Sequence, residues 1–308
     1  EINGVSIVTR TIEPGDLFVA LKAERDGHDF VAAALEIGAA AALVSRIPDG
    51  VGADAPLLIV DDDLRALEHL GVAARARTNA RVIAITGSAG KTSTKEMLGY
   101  VLGHQGKTHI AQASYNNHWG VPLTLARMPQ VAEFAVIEIG MNAPGEIAPL
   151  ARMTRPNIAV VTTVAPAHLA AFDNVDGIAA EKASIFEGLE EGGVALFNAD
   201  IETAPILNAR AKEHAARRIG FGESGDAALR ADKIVLTPHA SVVEGYFAGT
   251  PFLFKVGAPG RHFAMNALAV YGVAELVGTK TAVAGSKKAD WDAPSGRGNR
   301  ELLVLDTL

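Results

Sequence analysis

Residues 82–92 read Val-Ile-Ala-Ile-Thr-Gly-Ser-Ala-Gly-Lys-Thr. An apolar β-type run passes through a glycine-rich turn into a lysine and a hydroxyl that open a helix. This order of strand, turn and helix is what triphosphate binding needs. Gly87 and Gly90 let the backbone turn its N–H groups inward, and a helix starting near Lys91 presents its positive end to anionic oxygens. Lys91 is placed to reach the β- and γ-phosphates, and the Thr92 hydroxyl to ligate Mg²⁺. The candidate nucleotide contacts are therefore Gly87, Ser88, Ala89, Gly90, Lys91 and Thr92. The loop is a shortened Gly-x-x-Gly-Lys-Thr, because Ile85 stands where the commoner spacing has a glycine.

A chain of 308 residues suits two domains better than one core. Its 49% hydrophobic and 20% charged residues describe an ordinary globular protein. The net charge of −7 argues against nucleic acid as the main partner. With no cysteine, disulfides and thiolate metal sites are excluded, which is compatible with a reducing cytoplasm. No apolar run reaches the roughly 18–20 residues of a membrane span, so membrane insertion is not expected, nor is a signal peptide visible. The chain opens on Glu1 rather than methionine, so its true N-terminus is expected to lie elsewhere.

Residues 1–78 alternate short apolar runs with polar turns, giving expected strands at 16–21, 40–44 and 56–60 and helices at 30–38 and 62–77. They read as a small α/β domain, and the polar stretch 75–81 marks the boundary to a second domain over 79–308. There the pattern becomes strand–helix–strand. Strands are expected at 82–86, 134–139, 158–162, 193–197 and 217–220, with helices near 91–104, 120–127, 146–153, 177–188 and 200–215. Such alternation predicts a mainly parallel sheet with helices on both faces, and ligands beyond the carboxyl ends of its strands. Residues 233–257 suggest an antiparallel addition, followed by a helix over 262–277.

Several polar motifs follow strand ends. Glu138 closes the apolar run 134–139, where a nucleotide-bound Mg²⁺ is usually held. His168 lies beyond the strand at 158–162 and suits either a metal or the positioning of a carboxylate. Asn116 and Asn117, before a helix, could contact phosphate or substrate, although capping alone would explain one of them. On pattern alone Lys182 is a lysine on the polar face of an amphipathic helix. His262 and Asn266 share a face one turn apart, and the asparagine suits an adenine edge. Arg297 in a glycine turn and Asp306 at a strand end suit phosphate or ribose.

Taken in order, these motifs resemble the Mur ligase family, ATP-dependent amide-forming enzymes of peptidoglycan synthesis. The resemblance is carried by Gly15 to Leu21, Asp26-Gly27-His28-Asp29-Phe30, Thr86 to Thr92, Lys95-Glu96-Met97, Ser114 to Gly120 and Pro166 to Leu169. Glu138 to Asn142 and Pro144-Gly145-Glu146-Ile147 point to the member that adds D-alanyl-D-alanine to UDP-N-acetylmuramoyl-tripeptide.

The resemblance implies ATP and Mg²⁺, with Lys91, Glu138, His168 and Lys182 as catalytic residues and Thr92, Glu138, His168 and Lys182 around the metal. Lys182 falls where many members carry a carbamylated lysine. Asn266, Arg297 and Asp306 would face the adenosine, and Asn116 and Asn117 the γ-phosphate and acceptor. The 1–78 domain would hold the UDP-sugar, with Thr9 and Arg10 in contact. A cytoplasmic monomer is implied.

The departures are Val8 where the family has an acidic residue, and Lys182-Ala183-Ser184 where many members have Lys-Gly-Glu. The family's C-terminal Rossmann-like domain is expected to be absent from these residues, so that the chain binds nucleotide but ligates poorly. A sibling ligase and a nucleotide-binding module without ligation are the alternatives.

Overall fold

The computed structural model describes residues 2–52, 54–167 and 170–279. They form two compact units, one of residues 1–79 with 111–132 and one of 80–110 with the residues from 133 onward.

In the first unit, β1 (Gly4–Ser6), β2 (Asp16–Val19), β3 (Ala41–Val44) and β4 (Leu57–Ile59) make a parallel sheet in that order. The helices are α1 (Val31–Ile37), α2 (Asp63–Ala76) and, from further along the chain, α4 (Gly120–Ala126). Strand alternation sends side chains to both faces. Phe18 and Val44 pack with Val31 and Ala34 of α1. Leu17, Val19 and Leu43 pack the other way, with Leu67 of α2 and Leu123 of α4. Residues 111–132 thus belong with the first unit, although a linear reading assigns them to the second domain. Helix α4 lies so close to α2 that a Cβ on Gly71 would come within 3.0 Å of the Pro122 carbonyl.

The second unit holds β5 (Arg81–Thr86), α3 (Lys91–Gly103), β6 (Thr108–Ile110), β7 (Phe134–Glu138), α5 (Ile147–Thr154), β8 (Ile158–Val161), α6 (Val175–Ala183), β9 (Val194–Asn198), α7 (Ala204–His214) and β10 (Arg217–Gly222). These are followed by β11 (Leu229–Leu236), β12 (Ser241–Phe247), β13 (Thr250–Val256) and α8 (Arg261–Leu276). The nine-stranded sheet has the order β13-β12-β11-β10-β9-β8-β5-β7-β6. All pairings from β6 to β11 are parallel, and β12 and β13 extend it antiparallel. The three-residue β6 was not expected from the sequence.

Helix α8 is apolar almost all round, and Phe263, Ala267, Leu268, Val270 and Val273 are at or near zero exposure against α3 and the sheet. From β5 the chain crosses to β6 and β7 on one side, then to β8 and beyond on the other. The sheet therefore changes direction beside β5, and a crevice is expected at that strand's carboxyl end.

Candidate active site

The loop leaving β5 needs its glycines for geometric reasons. Gly87 has φ +153° and Gly90 φ +83°, a region that side chains rarely enter. A Cβ on Gly87 would come within 2.0 Å of Thr162 Oγ1, and one on Gly90 within 2.6 Å of Asn266 Oδ1. The Asn266 carboxamide, from the first turns of α8, therefore lies directly against the phosphate-type loop. His262, read as its partner on one face, is exposed with its ring against Phe263, while Asn266 is buried.

Helix α3 starts at Gly90 with no side chain capping it, so its opening N–H groups are aimed outward from the glycine turn. Lys91 Nζ donates to the Gly87 carbonyl at 2.6 Å, which draws the ammonium over the loop. Thr92 Oγ1 donates to Glu138 Oε1 at 3.1 Å, tying the start of α3 to the end of β7. Glu138 is only 1% exposed.

Lys182 lies 1% exposed on α6, not on a solvated face as its helical position suggests. Gly177, Ala180, Glu181 and Ser184 of that helical stretch line a cavity of about 650 Å³ on the other side. Burial first, and the neighbouring Lys91 ammonium second, push the Lys182 amine down to about 7, with Glu181 acting in the opposite direction. The Lys91 ammonium and burial thus both disfavour the charged form of Lys182.

Glu181 also organises the site. Its Oε2 and Oε1 accept the N–H groups of Gly145 and Ile147 at 2.8 and 2.9 Å, so α6 caps the start of α5. Glu146 in turn accepts the Asn142 N–H at 2.7 Å. The loop leaving Glu138 is thereby tied to the helix that carries Lys182.

The structure brings together Gly87 to Thr92, Glu138, Lys182 and Asn266 in the second unit. Thr9, Arg10, Asn116 and Asn117 belong to the first. Thr9 is half-buried and Arg10 exposed, both in a short 3-10 turn. Asn117 Oδ1 accepts the Gly120 N–H at 2.9 Å, so one of the paired asparagines serves as a helix cap. In the Asp26-Gly27-His28 stretch, Ser45 N donates to His28 Nε2 at 3.0 Å, which leaves the ring proton on Nδ1 for Asp26 at 2.7 Å. His168, Arg297 and Asp306 lie outside the described residues.

Thr162, which follows β8, is a further site residue that the sequence pattern does not single out. Its signal in the sequence was a hydroxyl pair ending the strand that neighbours β5.

The Mur ligase middle domain matches residues 85–274. The chain belongs to the Mur ligase family. Among other Mur ligases, it is 37% identical to the UDP-N-acetylmuramoyl-tripeptide–D-alanyl-D-alanine ligase of Bacillus subtilis, over 90% of this chain and 59% of that protein. A crystal structure of MurF from Acinetobacter baumannii aligns with a TM-score of 0.85 and 31% identity, covering 96% of this chain and 64% of that one. MurF ligase from Thermotoga maritima, solved in complex with ADP, aligns with a TM-score of 0.82 and 26% identity, covering 97% and 68%. The chain thus spans about three fifths of the length of the Bacillus subtilis Mur ligase it matches.

No helix among the described residues is long and apolar enough to cross a membrane.

Proposed function

We propose that this chain carries the ATP-binding and UDP-sugar-binding parts of a ligase that joins D-alanyl-D-alanine to UDP-N-acetylmuramoyl-tripeptide, working in the cytoplasm as a monomer. The observation that carries the reading is the convergence at the carboxyl ends of β5 and β7. An uncapped helix start, Lys91, the Thr92–Glu138 pair and the buried Lys182 meet there. The relatives' names and the ADP complex of one structural neighbour support it.

On this reading the loop 87–92 holds the phosphates, and Asn266, which lies against Gly90, serves the adenosine, a role the resemblance also gives to Arg297 and Asp306. The first unit takes the UDP-sugar through Thr9 and Arg10, and Asn116 and Asn117 serve the acceptor. The tripeptide carboxylate attacks the γ-phosphorus, releasing ADP and leaving an acyl phosphate. The dipeptide amine then attacks the acyl carbon, and the tetrahedral adduct collapses to the amide as phosphate leaves. Lys91 and the opening N–H groups of α3 stabilise charge on the transferring oxygens.

The donor chemistry fits Mg²⁺: a hydroxyl and a carboxylate, both hard oxygen ligands, already meet at 3.1 Å. Thr92, Glu138, His168 and a carbamylated Lys182 would hold it, and it would neutralise charge on the phosphoryl oxygens. A lysine held near 7 has the neutral amine that carbamylation by CO₂ requires.

The test is to add ATP to the chain with UDP-N-acetylmuramoyl-tripeptide, D-alanyl-D-alanine, or both, following ADP affinity and phosphate release. Nucleotide binding that UDP-N-acetylmuramoyl-tripeptide strengthens is expected of these parts, and any phosphate release should require both substrates. Nucleotide affinity that UDP-N-acetylmuramoyl-tripeptide leaves unchanged favours a binding module, and no nucleotide affinity ends the reading.

A further inference from the structure

The glycine loop is held from its β8 side by a set of hydrogen bonds that the proposed chemistry does not use. Thr162 Oγ1, on a residue only 3% exposed, donates to the Ala89 carbonyl at 2.6 Å, with the Thr86 carbonyl further off at 3.2 Å. Ser88 N donates to the Thr163 carbonyl at 2.9 Å. Ser88 Oγ accepts the Ala165 N–H at 3.0 Å and donates to the Ala165 carbonyl at 3.1 Å. The Thr162 carbonyl is itself held by Asn198 Nδ2 at 3.2 Å, from the end of β9.

The contact at Ala89 has a directional consequence. In a trans peptide the C=O and the following N–H point in opposite directions, and no described peptide bond is cis. Drawing the Ala89 carbonyl onto Thr162 therefore turns the Gly90 N–H away from Thr162. Meanwhile the Ser88 N–H is occupied by Thr163 and is not a donor to any ligand. The Gly90 N–H stays directed away from Thr162, next to the opening N–H groups of α3. The requirement for glycine at 87 gains a second reason, since a Cβ there would lie on the Thr162 hydroxyl.

We propose that Thr162 is a positioning residue of the phosphate loop: its hydroxyl fixes the Ala89–Gly90 peptide so that the Gly90 N–H faces the anion. Thr162 touches no phosphate itself and acts through that peptide. The inference rests on the nucleotide reading above.

The test titrates ADP, with Mg²⁺ present, into the wild-type chain and into Thr162→Val, Thr162→Ser and Ser88→Ala, with thermal unfolding of each measured without nucleotide. Thr162→Val keeps the side-chain shape and removes the donor, so ADP is expected to bind about tenfold more weakly. Thr162→Ser restores the donor and is expected to bind within about threefold of wild type. Ser88→Ala loosens the other half of the attachment and is expected to weaken binding less than Thr162→Val.

Equal affinity in wild type and Thr162→Val overturns the proposal while leaving the nucleotide site standing. Failure of Thr162→Ser to rescue also overturns it, since the hydroxyl would then not be the active feature. Should Thr162→Val not fold, Thr162→Ala takes its place: unchanged ADP affinity overturns the proposal and weakened affinity supports it. Absence of ADP binding by the wild-type chain refutes the underlying site reading instead.

Discussion

The Thr92 hydroxyl donates to the Glu138 carboxylate across 3.1 Å, joining the first turn of α3 to the last residue of β7. Each residue is thereby held where the other's strand or helix ends. A Mg²⁺ ion sharing them would need the carboxylate's charge, not merely an acceptor. Glu138→Gln keeps an acceptor for Thr92 and removes the charge. Titrations with and without Mg²⁺ are expected to show ADP affinity that gains from the metal in wild type. In the variant that gain should fall by about tenfold or more. A variant that keeps the full gain would remove Glu138 from the metal site.

Gly90 and Asn266 provide a steric test. Gly90→Ala places a methyl group on the Asn266 carboxamide and forces alanine to φ +83°. The strain alone costs about 1–3 kcal/mol. Gly145→Ala, at φ +86° with nothing within 4 Å of its Cβ, carries the strain without the clash. Urea unfolding should therefore rank Gly90→Ala as the more destabilised, and ADP affinity should fall in that variant alone.

Lys182 gives a pH dependence whose sign is fixed. Its amine is pushed from 10.5 down to about 7 in the folded chain, so between those values the unfolded chain holds the extra proton. Folding stability contributed by this group rises with pH across that window, by at most about 1.4 kcal/mol per pH unit. Unfolding measured in CO₂-free buffer at several pH values from 7 to 10 should show this slope in wild type. Lys182→Met should flatten it.

Lys91 is the second cause of that depression. Lys91→Met removes a neighbouring ammonium and should raise the Lys182 titration point, readable by NMR of isotopically labelled lysine side chains. The same substitution should weaken ADP binding by about tenfold. An unmoved Lys182 titration would mean the two amines do not feel each other.

Asp26 shifts stability in the same direction as Lys182 but in an acid window. The His28 backbone N–H first, then the His28 ring and Arg46, hold its carboxyl well below the usual carboxylate range, against the effect of burial. The stability it lends is present above its unfolded value near 3.8 and is lost as pH falls below it. Asp26→Asn should be less stable than wild type at neutral pH, and the gap should close in acid.

What could be read from the sequence was local. The glycine loop is legible because φ above zero, a cation and a hydroxyl are needed within six consecutive residues, 87–92. The parallel sheet is legible from the regular exchange of apolar runs and helical stretches. Lys182 is not, because Glu181 beside it makes a polar-looking turn of helix, and only the packing of α6 shows that one charge faces out and the other inward. The place of residues 111–132 was hidden for a related reason. Nothing in the composition of α4 says which of two sheets its apolar side will cover, and Leu123 reveals it only by meeting Leu67. Thr162 is not legible because a threonine at a strand end has many ordinary explanations, whereas its direction toward Ala89 is a three-dimensional fact.

The excursion of α4 has a consequence for synthesis. A ribosome delivers β5, α3 and β6 before it delivers the helix that completes the first sheet's packing. Until residue 126 has emerged, Leu67 and Gly71 of α2 wait with one apolar flank uncovered. The two units are interleaved in time as well as in sequence. A nascent chain stalled near Asn79 should accordingly be more protease-sensitive along α2 than one stalled after Ala132.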